Sequence, residues 1–292
     1  MYATRSNRLA GLAYLAPALL FVLVFTAWPL GQMVWVSFHS WSLLTPPKFI
    51  GTNNFTKAFA DKQFWTSLGF TLKYTLLITP ILMVGGYALA LLTAANTPMR
   101  RFTRAVVFVP VVIGLSASSL LWYWLFSTDY GFVNRLLLDF GFIAKPVFWL
   151  GVDADTSNWA IIVSVVWKVI GFGMILFVAA IQAIPSEVTE ATLVDGASPR
   201  QRLVHVTLPL TLRTVLLVTL ISVIGSLLAF DQFYIMTAGQ PQNLTATSVF
   251  YVYLNSFPYL KLGYGAALSL ILAAIILVFT IVQMMLTRRS HA

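Results

Sequence analysis

The sequence contains no cysteine, which excludes disulfides, thiol nucleophiles and cysteine-ligated metal sites. Its three histidines, His39, His205 and His291, are far apart. Neither H-E-x-x-H nor G-x-x-x-x-G-K-[ST] occurs, so a zincin-type metal site and ATP binding through a P-loop are both excluded. The nine acidic residues are scattered. A polytopic membrane enzyme would instead cluster acid, base or metal ligands near one interface. Charge of either sign is scarce: 9% of the 292 residues, against roughly 25% in soluble domains.

What the chain has in abundance is apolar. Hydrophobic residues make up 59% and the mean hydropathy is +0.85. A soluble fold of this size has no interior large enough for that surface, so the composition predicts an all-α integral membrane protein. A spanning helix needs about 20 mostly apolar residues. Six segments qualify, at approximately 11–37, 66–95, 105–126, 158–183, 209–236 and 263–286. They predict six transmembrane helices in a single domain over 1–292, with no internal repeat. Arg5 and Arg8 before the first run resemble a signal peptide, but the run continues to about Phe38 with no small-residue cleavage site. It reads as a retained span, with bends expected at Pro17 and Pro29.

The net charge of +9 is distributed like membrane topology rather than like a nucleic-acid surface. Arg5, Arg8, Arg100, Arg101, Arg104, Arg200, Arg202, Arg213, Arg288 and Arg289 fall on one side, with Glu187, Glu190 and Asp195. The other side carries six Lys/Arg and five acids. Positive charge stays cytoplasmic, so both termini are expected inside. Trp65, Trp122, Trp124, Trp149 and Trp159 lie near predicted outer span ends and read as interfacial anchors. Gly265, Ser269 and Ala273, spaced by four, suit a close packing face. The sequons at Asn54 and Asn243 are read as chance matches. Lys73, Lys168 and Asp231 fall inside spans, where polar groups are costly. Lys73 is near a span end and reads as snorkelling. Lys168 and Asp231 either pair across a helix interface or reach an aqueous path, or else they snorkel and bond within the packing.

Between the fourth and fifth apolar runs lies a polar, basic stretch, residues 184–208. It is longer than a turn requires. Pro185 suits a first helical turn leading into Ser186–Val194, Gly196 suits a bend, and Ser198-Pro199 suits an N-cap and first helical position. Val188, Ala191 and Leu203 are expected to form a small apolar face. Composition alone leaves two readings: an amphipathic elbow on lipid headgroups, or a handle for a partner protein.

Specific residues favour the handle. Glu190-Ala191-Thr192, Gly196, Val206 and Leu208-Pro209 resemble the pattern E-A-A-x3-G-x9-I-x-L-P, the EAA loop of bacterial ABC-importer permeases. Thr192 replaces an Ala and Val206 an Ile. Phe230–Pro241, "FDQFYIMTAGQP", resembles the sugar-permease branch typified by the maltose and glycerol-phosphate importers, with Gln240 where a second glycine is usual. The resemblance implies six core spans and a cytoplasmic coupling helix, 184–208, that docks on an ATPase. Glu190 and Asp195 would make polar docking contacts, Ala191 and Ala197 would allow close approach, Gly196 would form the bend, and Pro209 would tie the element to the fifth span. Phe172 and Ser226 match path-lining positions. Ser222, Ala229 and Phe230 are expected on the same face as Ser226, with Asp231 beside them.

The resemblance further implies a non-enzymatic permease subunit that imports a carbohydrate, polyol or sugar-phosphate. Its implied partners are a second homologous permease, two ATPase subunits carrying ATP and Mg, an extracytoplasmic binding protein and membrane lipid, and no nucleic acid. No cofactor or metal is expected on this chain. The rival is a stand-alone secondary transporter, which should carry repeats and a coupling-ion site.

Overall fold

The computed structural model describes residues 5–42 and 44–289, with the side chains of residues 14–42 and 44–285. The side chains of Arg5, Arg8, Arg288 and Arg289, and all of His291, lie outside that set. Helix α1 runs through Arg5–Val22, a π-helical turn Leu23–Ala27 and Trp28–Ser37. A two-stranded antiparallel ribbon follows, β1 His39–Ser40 and β2 Lys48–Phe49. Then come α2 Asn53–Ala60, α3 Lys62–Thr93, α4 Pro98–Val112, α5 Leu115–Leu125, α6 Phe132–Asp139 and α7 Ala154–Gln182. The chain continues through α8 Ser186–Val194, α9 Pro199–Leu227, α10 Asp231–Met236, α11 Ser248–Ser256 and α12 Leu262–Arg289.

Among the described residues five helices are long and apolar enough to cross a membrane, and six if α4 and α5 count as one broken span. Four of the predicted runs are single helices, and two are corrected. The run at 105–126 starts at Pro98 and is bent by 98° where Ile113 and Gly114 turn extended. Pro110, three residues before the bend, lacks the amide hydrogen that would bond the carbonyl four residues back, which weakens the last turn of α4. The run at 209–236 is helical only to Leu227; Leu228–Phe230 break it before α10.

Proline also explains two local widenings. Pro29 and Pro209 each sit two residues after a π-helical turn, Leu23–Ala27 and Leu203–Thr207. A proline ring collides with the carbonyl four residues back, and a wider turn removes the collision. Pro17 lies within an unbroken α-helical stretch.

The chain forms two compact units. One comprises the residues up to Asp61 and Val252–Ile275. In it, buried Asn54 donates to the carbonyls of Ser37 and His39 at 2.8 and 3.0 Å, so this sequon serves packing. Gly263 lies against the His39 carbonyl, where an added Cβ would sit 1.8 Å away. Gly265 makes the close approach expected of a small residue, against Ser256, while Ala273 is exposed. On α1, every side chain from Tyr14 to Gln32 is exposed.

The other unit comprises Lys62–Tyr251 and the chain from Ile276 on. Here α3 packs along α7, with α4 and α9 beside them. Tyr87, Ala90, Met174, Phe177, Val178 and Val218 form a buried cluster. Tyr87 is hydrogen-bonded to Thr211 at 2.8 Å. At Gly171 a Cβ would lie 2.4 Å from the Val107 carbonyl, so only glycine lets α4 and α7 cross this closely. The tryptophans divide. Trp65, Trp124 and Trp159 are exposed, whereas Trp149 donates to Asn134 and Trp122 packs edge-on to Trp167.

Candidate functional site

Helices α3, α5, α7, α9 and α10 enclose a cavity of about 240 Å³. Its wall is mainly apolar, from residues such as Ile78, Leu82, Val165, Ile170 and Val218. Tyr74, Ser222, Ser226 and Gln232 supply the polar side chains, and Phe172 an aromatic one. No charged side chain among the described residues lines it. Ser226 is committed to its own helix, donating to the Val223 carbonyl at 3.0 Å. The Ser222 hydroxyl reaches Thr79 across the helix interface at 3.4 Å. Gln232 is 4% exposed and donates to the Tyr74 hydroxyl at 3.5 Å. Its Oε1 has no partner among the described residues. A buried acceptor left unpaired beside a cavity suits a ligand hydroxyl, because such an oxygen costs free energy until it is bonded.

The expected path residues separate. Phe172, Ser222 and Ser226 line this cavity; Phe230 and Asp231 do not. The reason is the break after Leu227. The face that carries Ser222 and Ser226 ends there, so Ala229 and Phe230 leave it. Thr247 bonds the freed Ala229 carbonyl at 2.7 Å. Phe230 stacks on Tyr234, with ring centroids 5.4 Å apart, and meets Phe250 edge-on. Asp231 opens α10 and accepts from Ser116 at 2.9 Å. Gln232 and Tyr74 were missed at the sequence level. A signal for Gln232 exists: it is an uncharged polar residue inside an apolar run, next to the more conspicuous Asp231.

Lys168 and Asp231 do not pair, and Lys168 does not snorkel. It is buried, and its Nζ donates to the Val111 and Pro110 carbonyls at 3.0 and 3.4 Å. These carbonyls close α4 at the bend, so Lys168 caps the broken span. Lys73 pairs with Asp155 at 2.5 Å at the exposed N-terminal end of α7. Next to it, Asp153 caps α7 by accepting from the Thr156 amide at 2.7 Å, which holds its carboxyl below the usual carboxylate range.

The stretch at 184–208 is built from α8 and the start of α9. Gly196 adopts φ +69°, and the α8 terminus closes with Ala197 N donating to Thr192 O and Gly196 N to Leu193 O. This double closure is the Schellman arrangement, which favours glycine at that place. Ser198 and Gln201 form a reciprocal capping box, with Pro199 at the first helical position. Glu190, Ala191, Asp195, Gly196 and Pro209 are exposed and Ala197 is half-buried. The expected apolar face is corrected at Ala191, which is exposed while Val188 and Leu203 are half-buried. The largest exposed apolar groups of α8 are instead Leu193 and Val194. The helix thus has rigid, capped ends and an outward surface of mixed polarity.

Comparisons with known proteins agree with this architecture. Residues 83–291 match the family model described as binding-protein-dependent transport system inner membrane component. The sulfoquinovosyl glycerol transport system permease protein of Agrobacterium fabrum is 33% identical over 97% of this chain and 91% of that one. The trehalose/maltose transport system permease protein of Thermococcus litoralis is 34% identical over 96% of this chain and 95% of that one. The lactose transport system permease protein of Rhizobium radiobacter is 32% identical over 94% and 92%. A chain of a bacterial alginate ABC transporter, solved in complex with an alginate pentasaccharide-bound periplasmic protein, has the same fold, with a TM-score of 0.82 over 95% of this chain and 93% of that one at 23% identity. With a family model across most of its length and such relatives across nearly all of it, the chain belongs to the inner-membrane components of binding-protein-dependent transport systems.

Proposed function

We propose that this chain is a permease subunit of an ATP-driven importer of a neutral carbohydrate or related polyol. The observation that carries the reading is the cavity: uncharged hydrogen-bonding groups at Tyr74, Ser222 and Gln232 beside Phe172, within an otherwise apolar wall. Carbohydrates bind through hydroxyl hydrogen bonds and aromatic contact, and a transport path must hold them weakly enough for release. The relatives named above as carbohydrate transport permeases support the same class.

In this reading the chain hydrolyses nothing. It forms half of the path with a second, similar permease, and a binding protein delivers solute from outside. ATP and Mg reside on two partner ATPase subunits. Both termini and α8 face the cytoplasm, in keeping with the arginine-rich side. Helix α8 docks on an ATPase through Glu190, Ala191, Asp195, Gly196 and Ala197. Closure of the ATPases moves α8, and the continuous helix from Pro199 to Leu227 carries that movement through Pro209 to the wall at Ser222 and Ser226.

The test is ATP turnover by the complex reconstituted with its neighbouring subunits. A neutral oligosaccharide presented by the binding protein should raise turnover and enter the vesicle. Uptake driven by a sodium or proton gradient, with no ATPase present, would overturn the reading in favour of a secondary transporter.

A further inference from the structure

A second recess lies at one end of the helices, behind α8. It is an open groove of about 800 Å³. Three arginines line it, Arg100, Arg200 and Arg202, and no carboxylate does. Glu187, Glu190 and Asp195 belong to the same stretch of chain but are not part of this wall, and none of the three arginines has an ion-pair partner among the described residues. Arg202 Nε is enclosed and lacks an acceptor among the described residues. A shielded cationic donor without a partner is costly, and a phosphoryl oxygen would satisfy it while adding charge assistance.

The remaining wall identifies the source of that phosphoryl group. Leu91 lies in the last turn of α3, Ile184 follows the end of α7, and Leu203 and Val206 begin the apolar part of α9. Three apolar helices therefore stop around the groove. With these helices spanning a membrane, their shared end would fall near the headgroups, and there aliphatic side chains stand next to guanidinium groups. Basic pockets between spans at the cytoplasmic face have the chemistry of anionic-lipid sites. We infer that the groove lined by Arg100, Arg200 and Arg202 binds the phosphodiester headgroup of an anionic phospholipid, which braces α8 from its membrane side. The bracing role rests on the coupling function proposed for α8; the binding itself does not.

The complete transporter is reconstituted in vesicles of equal phosphatidylglycerol and phosphatidylcholine, extracted, and its retained lipid measured by mass spectrometry. Wild type should be enriched in phosphatidylglycerol. Each arginine near an anionic surface is worth about fivefold in affinity, so Arg200→Gln with Arg202→Gln should lower the enrichment by roughly 25-fold. Folding is checked in discs of pure phosphatidylcholine. There, wild type and variant should melt together, and only wild type should gain on adding phosphatidylglycerol. Equal enrichment in wild type and variant, or an equal gain in melting temperature, overturns the inference. So does a full gain produced by inorganic phosphate in phosphatidylcholine discs, which would make free phosphate the ligand. Because these readouts need no transport, the inference can fail while solute-stimulated turnover stands, and the reverse.

Discussion

At Gln232 the chain keeps an amide oxygen in largely apolar surroundings with no partner among the described residues. Leaving such a group unpaired costs about 1–3 kcal/mol. Gln232→Leu removes that cost but also the 3.5 Å bond to buried Tyr74, so the melting temperature of the complex should change little, while the solute concentration for half-maximal ATP turnover rises about three- to tenfold, the worth of one hydrogen bond. A falling melting temperature with unchanged solute dependence would assign Gln232 to packing. Lys168 carries the opposite expectation. It donates to the Val111 and Pro110 carbonyls at the end of α4, of which Pro110 O also accepts from Ile113 N, and lipid offers no replacement donor. Lys168→Met should destabilise the complex by about 1–3 kcal/mol, read as a lower melting temperature. An unchanged or higher value would mean that relief from burying the ammonium outweighs the lost capping. At Asp153 the folded carboxyl titrates lower than the unfolded one. Its contribution is complete above the free-carboxylate range, about pH 4, and is lost as pH falls through the depressed folded value. The stability gap between wild type and Asp153→Ala should be full at pH 7 and close in acid; a gap independent of pH would contradict this.

Among the elements, α8 and its closure at Gly196 show which effect decides a substitution. Nothing lies within 4 Å of a Cβ built on Gly196, so a side chain there meets open space. The penalty is conformational, about 1–2 kcal/mol for an L-residue at positive φ. Gly196→Val should fray the end of α8 and lower solute-stimulated ATP turnover while the complex still assembles; unchanged turnover would show that the bend is not needed for coupling. This element was legible in sequence, because Pro185, Gly196, Ser198 and Pro199 are local signals read correctly without tertiary context. The apolar runs were legible for the same reason, being long and uniform. The breaks were not. Hydropathy is blind to the bend at Ile113–Gly114, since both flanks remain apolar, and to the stop at Leu227, since the run continues to Met236. The misplacement of Phe230 and Asp231 followed from the missed stop. Lys168 showed as an anomaly in sequence, but its acceptors lie on α4, 57 and 58 residues away. Only the fold could supply them.

Taken as a whole, the molecule leaves much apolar surface uncovered. All side chains from Tyr14 to Gln32 are exposed on α1, although that helix is long and apolar enough to span a membrane. Lipid accounts for such a surface, whereas a soluble monomer would not. Composition announced this much, and the EAA-like residues carried the family. The solute class was less legible, because the cavity forms from five helices and its key amide lies beyond a break. The absence of cysteine makes the central claim directly measurable. Single cysteines at Ala191 or Val194, both exposed on α8, can be crosslinked to the partner subunits during solute import. The account predicts a crosslink to the ATPase whose yield changes with ATP. Accessible cysteines that react only with lipid-embedded probes, with no ATPase captured while solute enters, would contradict it.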